Sequence, residues 1–225
     1  MAEEDEKGGA EHRLDRTLAI SDGVFAFAIT LLVLDLTVPT IMGATSADLW
    51  NALSLDYITF FTYALSFLIA GVWWNAHHRN FGHIRRSNST LRWLNLLFLL
   101  WIALLPFFTK ILSHYQSLPL GVILYAVDQA AAGIFLTLIW VYASRNHHLI
   151  DKNMNEKAIQ YATIRNIIAP IFFLASMAIA FVNPIVATVF WVGMFPVLLI
   201  IRFFEQKNKT QRAGTAPASK IKMEK

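Results

Sequence analysis

Within residues 16–36 (RTLAISDGVFAFAITLLVLDL), Ser21 and Asp22 near the start, Thr30 in the middle and Asp35 near the end punctuate a largely apolar run. Polar groups placed in hydrocarbon are costly, and they ordinarily face a bundle interior or a water-filled path. At ~100° per residue, Gly23, Phe27, Thr30, Leu31 and Leu34 fall on one helical stripe. A single helix cannot enclose a path, but copies from identical subunits around a symmetry axis can. Such a stripe would line a narrow pore. Phe27, Leu31 and Leu34 would make apolar rings that gate by dewetting, and Thr30 a hydroxyl ring able to replace part of a cation's hydration shell. The plainer alternative is a stripe that packs against neighbouring helices, with Thr30 bonded to its own backbone.

Asp22 sits near the start of the same run and needs a partner. Arg16 lies six residues earlier on a different face, so the two do not pair within one helix. The obvious donors are His77 and His78 at the end of the second apolar run. Structural pairing is favoured over a direct role in transport; N-terminal capping by Ser21 or Asp22 and proton relay stay open. Asp35, near the other end, is either an acidic ring at a pore mouth or an interfacial charge. Asn95, Asp128, Gln129, Arg165 and Asn166 are further polar positions in or beside apolar runs, and mid-run Asp128 is the most unusual.

Metal chemistry is not expected. The chain has no cysteine, and His77, His78, His83, His147 and His148 lack the spacing of three or four converging ligands. No nucleophile–base set stands out either, so the sequence does not read as an enzyme, and no cofactor is called for.

The elements that must position these residues follow from composition. Of 225 residues, 56% are hydrophobic and only 15% charged, with a mean hydropathy of +0.48. Soluble domains average about 25% charged residues. The expected fold is therefore all-α and polytopic, with six transmembrane helices near 17–36, 57–76, 91–112, 118–143, 158–181 and 185–204. Pro106 should kink the third, Pro119 begin the fourth, Pro170 interrupt the fifth and Pro196 lie inside the sixth. A loop should join the first two. The acidic stretch 1–15 reads as a disordered cytoplasmic tail rather than a signal peptide, 16–205 as the membrane domain, and 206–225 as a disordered basic tail. With both termini cytoplasmic, all but Lys110 of the 19 lysines and arginines fall on the cytoplasmic side. The net charge of +4 thus reads as a topology signal in a bilayer, not as a nucleic-acid surface.

The series Arg16-x-x-x-Ile20-Ser21-Asp22, followed by the run ending Thr30-Leu31-Leu32-Val33-Leu34, resembles the signature first helix of the lysosomal potassium channel family, transmembrane protein 175 and its prokaryotic relatives. Ile20 stands where the family signature has phenylalanine. The segment Trp73-Trp74-Asn75-Ala76-His77-His78 is similar to the family's Trp/His stretch. The resemblance implies a potassium-selective cation channel in a prokaryotic cell membrane, built as a homotetramer of single six-helix units with the first helix lining the pore. It also implies a hydrophobic constriction at Phe27, with further rings at Leu31 and Leu34, and a potassium-preferring hydroxyl layer at Thr30. Arg16, Ser21 and Asp22 would hold an inter-helix polar network with His77 as partner.

The competing class is a cation- or proton-coupled secondary transporter. That class predicts repeated halves with matching broken helices. No such halves are visible, and the polar residues concentrate on one helix.

Overall fold

The computed structural model describes the backbone of residues 2–43 and 45–201, and side chains from residue 14 onward. The helices are α1 (Ala2–Leu31), α2 (Ser46–Leu55), α3 (Tyr57–His83), α4 (Ser89–Tyr115), α5 (Pro119–Ser144), α6 (Glu156–Val182) and α7 (Pro184–Val192). After Gly193 the chain is helical again over 194–201. Six of these segments are long and apolar enough to cross a membrane. The long helical form follows from the solvent: in hydrocarbon, backbone N–H and C=O groups must find partners within the segment.

Local chemistry sets the helix ends. Asn88 accepts from the Leu91 N–H, Asn155 from Lys157, and Asn183 from both Ile185 and Val186, so three asparagines cap the starts of α4, α6 and α7. Pro119 opens α5, where its missing N–H costs nothing. Three expectations change. The acidic N-terminal stretch expected to be disordered is helical from Ala2, continuous with the first span. The loop expected between the first two spans contains α2, started by a reciprocal capping box between Thr45 and Asp48. Pro170 does not interrupt its span, since α6 runs through it unbroken; the break falls instead at Gly193 in the last span. The tail 206–225 and the expected end of the sixth span lie outside the described residues.

α5 is the most buried span and packs along both α4 and α6, while α1 and the last span are the least buried. The core between them is aromatic. The Tyr125 and Trp191 rings stack at 4.9 Å, and Phe173 lies 5.6 Å from Trp191. Much of the outer surface is apolar, as lipid or another subunit requires.

Candidate functional site

α1 has two unlike faces. Thr17, Ser21, Phe25, Ala28 and Leu32 recur at helical spacing and are buried against α3 and α4. On the opposite side Gly23, Phe27, Thr30 and Leu34 are exposed, Phe27 at 65% and Leu34 at 71%, and Leu31 lies at the edge, half-buried. The proposed stripe therefore does not pack against the protomer's own helices. The Thr30 hydroxyl donates to the Phe27 carbonyl at 2.9 Å. That bond uses the one hydroxyl proton, so the oxygen offers only acceptor lone pairs outward.

The buried face is fixed by a polar chain across three helices. Ser21 Oγ donates to the Thr17 carbonyl (2.9 Å) and accepts from Asn95 Nδ2 (3.0 Å). Asn95 Oδ1 is 2.8 Å from His77 Nε2. An amide oxygen can only accept, so His77 donates from Nε2. Its ring is clamped between Phe81 (centroids 4.3 Å) and Phe98 (5.5 Å), with Phe25 at 6.1 Å. Asn95 is the member that the sequence did not assign.

Asp22 goes elsewhere. Trp74 Nε1 donates to its Oδ1 at 3.0 Å, and His78 Nε2 lies 3.8 Å from the same oxygen. Trp74 and His78 are one turn apart on α3, with rings 4.6 Å from each other. So the histidine pair divides: His77 turns into the bundle toward Ser21 through Asn95, and His78 serves Asp22. Arg16 is exposed and makes no bond to Ser21, Asp22 or His77 within the protomer.

At the far end of α1 the helix tightens into a 3-10 turn, Leu32–Asp35. The tighter winding re-aims the residues it carries. Asp35 consequently faces α4, accepting from Ser113 Oγ at 2.8 Å with Lys110 Nζ 4.0 Å away, and its side chain is only 9% exposed. Asp35 is thus engaged by a serine and a lysine of its own protomer. Asp128 is fully buried in α5, where Gln129 Nε2 donates to it at 2.6 Å while Gln129 Oε1 accepts from Trp73 Nε1 at 2.8 Å, tying α5 to α3. Among the described residues no three His, Asp or Glu converge as metal ligands.

Six helices long and apolar enough to cross a bilayer define a polytopic integral membrane protein. Comparison with known proteins gives the family. Residues 16–106 match the family model described as endosomal/lysosomal potassium channel TMEM175. A potassium channel of Streptomyces collinus is 33% identical over 172 residues, covering 75% of this chain and 82% of the relative. The human endosomal/lysosomal proton channel TMEM175 is 29% identical over 143 residues, 64% of this chain but 28% of the human one. The crystal structure of a lysosomal potassium-selective channel TMEM175 homolog from Chamaesiphon minutus superposes with a TM-score of 0.72 at 25% identity, over 85% of this chain and 97% of that one. The chain belongs to the TMEM175 family of potassium channels. It is a multi-pass membrane protein of an ion-channel family.

Proposed function

We propose that four copies of this chain close around the exposed stripe of α1 to form a leak-type, potassium-selective pore in a prokaryotic plasma membrane, with both termini cytoplasmic. Residues 1–15 and 206–225 act as its cytoplasmic extensions, flanking the membrane domain 16–205. Phe27, Leu31 and Leu34 supply the apolar constriction, and Thr30 the oxygen layer that favours potassium. Ser21 and Asp22 seat the helix on α3 and α4, through Asn95 and His77 in one case and through Trp74 and His78 in the other. Arg16, exposed at the same end, completes the polar network only across a subunit boundary.

The observation that carries this reading is the two-faced character of α1. One face is fixed to the bundle by buried hydrogen bonds, and the other leaves Phe27, Thr30 and Leu34 exposed. Rings of large apolar side chains make a gate that opens by small radial motion, since dewetting depends steeply on radius.

The test is potassium flux in liposomes holding the purified protein, followed by the bilayer reversal potential under opposed potassium and sodium gradients. A potassium-leaning reversal potential with no coupled ion supports the pore. Flux that needs a proton or sodium gradient replaces it with the coupled-transporter reading. Subunit number is read separately from the mass of the detergent-solubilised assembly.

A further inference from the structure

At one end of the bundle the α3–α4 and α5–α6 connections are stitched together. Ile84 and Ile150 form an antiparallel bridge. The backbone N–H groups of Arg85 and Arg86 both donate to the Leu149 carbonyl, at 2.8 and 3.3 Å, and that of Asp151 donates to His83 at 3.3 Å. The Asn88 amide donates to Tyr142 Oη at 2.8 Å, joining the start of α4 to the last turns of α5. Left-handed backbone at Asn146 (φ 52°) and His147 (φ 53°) folds the second connection back so that this pairing can form. Ile84, Leu149 and Ile150 are buried beneath the seam.

Four arginines border this seam: Arg85 and Arg86 on the first connection, Arg145 at the end of α5, and Arg92 one turn beyond Asn88 on α4. All four are exposed, and among the described residues none lies within ion-pair distance of a carboxylate. The nearby carboxylates are engaged. Asp151 Oδ1 accepts from the Asn153 N–H at 2.9 Å, and Glu156 lies 3.8 Å from His147. Trp93, next to Arg92, is 63% exposed, in the manner of an aromatic anchor at a membrane–water boundary.

We propose that this rim is a binding site for the phosphate headgroups of anionic phospholipids. The charge is complementary, and the planar guanidinium fork matches phosphate oxygens two at a time. The paired backbones also hold the arginines ready, so binding orders side chains but not loops. The rim lies where the apolar spans end, between His83 and Ser89, and a span's end is where headgroup phosphates are met. The site concerns the lipid-facing edge of the protomer and is independent of which residues line a pore.

The test is native mass spectrometry of the full chain released from mixed phosphatidylglycerol and phosphatidylcholine, with inorganic phosphate as competitor. The expected result is preferential retention of phosphatidylglycerol. The triple variant R85Q/R86Q/R92Q should weaken that retention by about fivefold per arginine removed. The variant K152Q/K157Q, at the α5–α6 connection and the first turn of α6, beyond the paired residues, should change it little. R85K/R86K/R92K keeps the charge but loses the guanidinium fork, so its retention should fall between that of the parent and that of the glutamine variant. Equal retention of the two lipids by the parent, or a triple glutamine variant that matches the parent, would overturn the proposal.

Discussion

Asn95 stands between Ser21 and His77, giving its amide proton to one at 3.0 Å and its oxygen to the other at 2.8 Å. All three side chains are buried, on α4, α1 and α3 respectively. Replacing Asn95 with alanine leaves a hydroxyl and an imidazole without their shared partner in the core. An orphaned buried group costs about 1–3 kcal/mol. Asn95→Ala should therefore lower the thermal midpoint of the solubilised protein by more than Ser21→Ala, which leaves the His77–Asn95 bond in place. Equal midpoints for the two variants would show that Asn95 is not the joint.

Thr30 offers only acceptor electrons on the exposed face, because its proton is given to Phe27 O. Thr30→Ala removes the hydroxyl together with the γ-methyl, whereas Thr30→Ser removes only the methyl, so the pair isolates the oxygen. The expected outcome is a reversal potential shifted toward sodium with total conductance changed much less. Thr30→Ser should restore the parent's preference, and an unshifted reversal potential in the alanine variant would remove Thr30 from the ion path.

Phe27 is 65% exposed in the protomer, so truncating it removes little packing within the chain. Phe27→Ala should leave the thermal midpoint near that of the parent and raise potassium leak several-fold, as a wider apolar ring wets more easily. A conductance equal to the parent's, in a protein that still assembles, would place the constriction elsewhere.

How much of this was legible in the sequence depends on the range of the interaction. The six spans and the division of α1 into two faces follow from hydropathy and the 3.6-residue period, which are local. The capping box that begins α2 was local as well: Thr45-x-x-Asp48 is present in the sequence, but a loop was expected there. The partners were not local. Ser21 and Asn95 are 74 residues apart and Asp35 and Ser113 are 78 apart, and no period in either helix says which faces meet. Adjacent helical residues diverge by about 100°, so His77 and His78 cannot both face one partner. Only the placement of α1 across α3 decides that His78, not His77, meets Asp22.

Asp48 is held below the ordinary carboxylate value of 3.8 by the Thr45 hydroxyl and, next, by the Thr45 backbone N–H. A carboxylate depressed in the folded state stabilises the fold above its unfolded pKa, and that contribution fades as pH falls through the folded value. The capping of α2 should thus persist at neutral pH and fail only in acid below pH 3.8. An NMR titration of the Asp48 carboxyl should have its midpoint below that value, and Thr45→Ala should move it upward. A midpoint that does not respond to Thr45→Ala would mean that the capping box does not form in solution.

Gly133 on α5 sits against side chains of both α3 and α6. A methyl group built there would lie 2.8 Å from Pro170 Cδ on α6 and 2.8 Å from Trp73 Cη2 on α3. Neither neighbour yields easily, because the proline ring is rigid and the Trp73 indole is tied to Gln129. Alanine ordinarily favours a helix over glycine by roughly 0.5–1 kcal/mol. Overpacking a filled site costs about 1–3 kcal/mol, so here the clash wins. Gly133→Ala should lower the thermal midpoint. Gly71→Ala, where an added methyl meets nothing within 4 Å, should hold or raise it. The order of the two midpoints is the measurement. A Gly133→Ala protein as stable as Gly71→Ala would show that α3, α5 and α6 pack less closely than 2.8 Å contacts require.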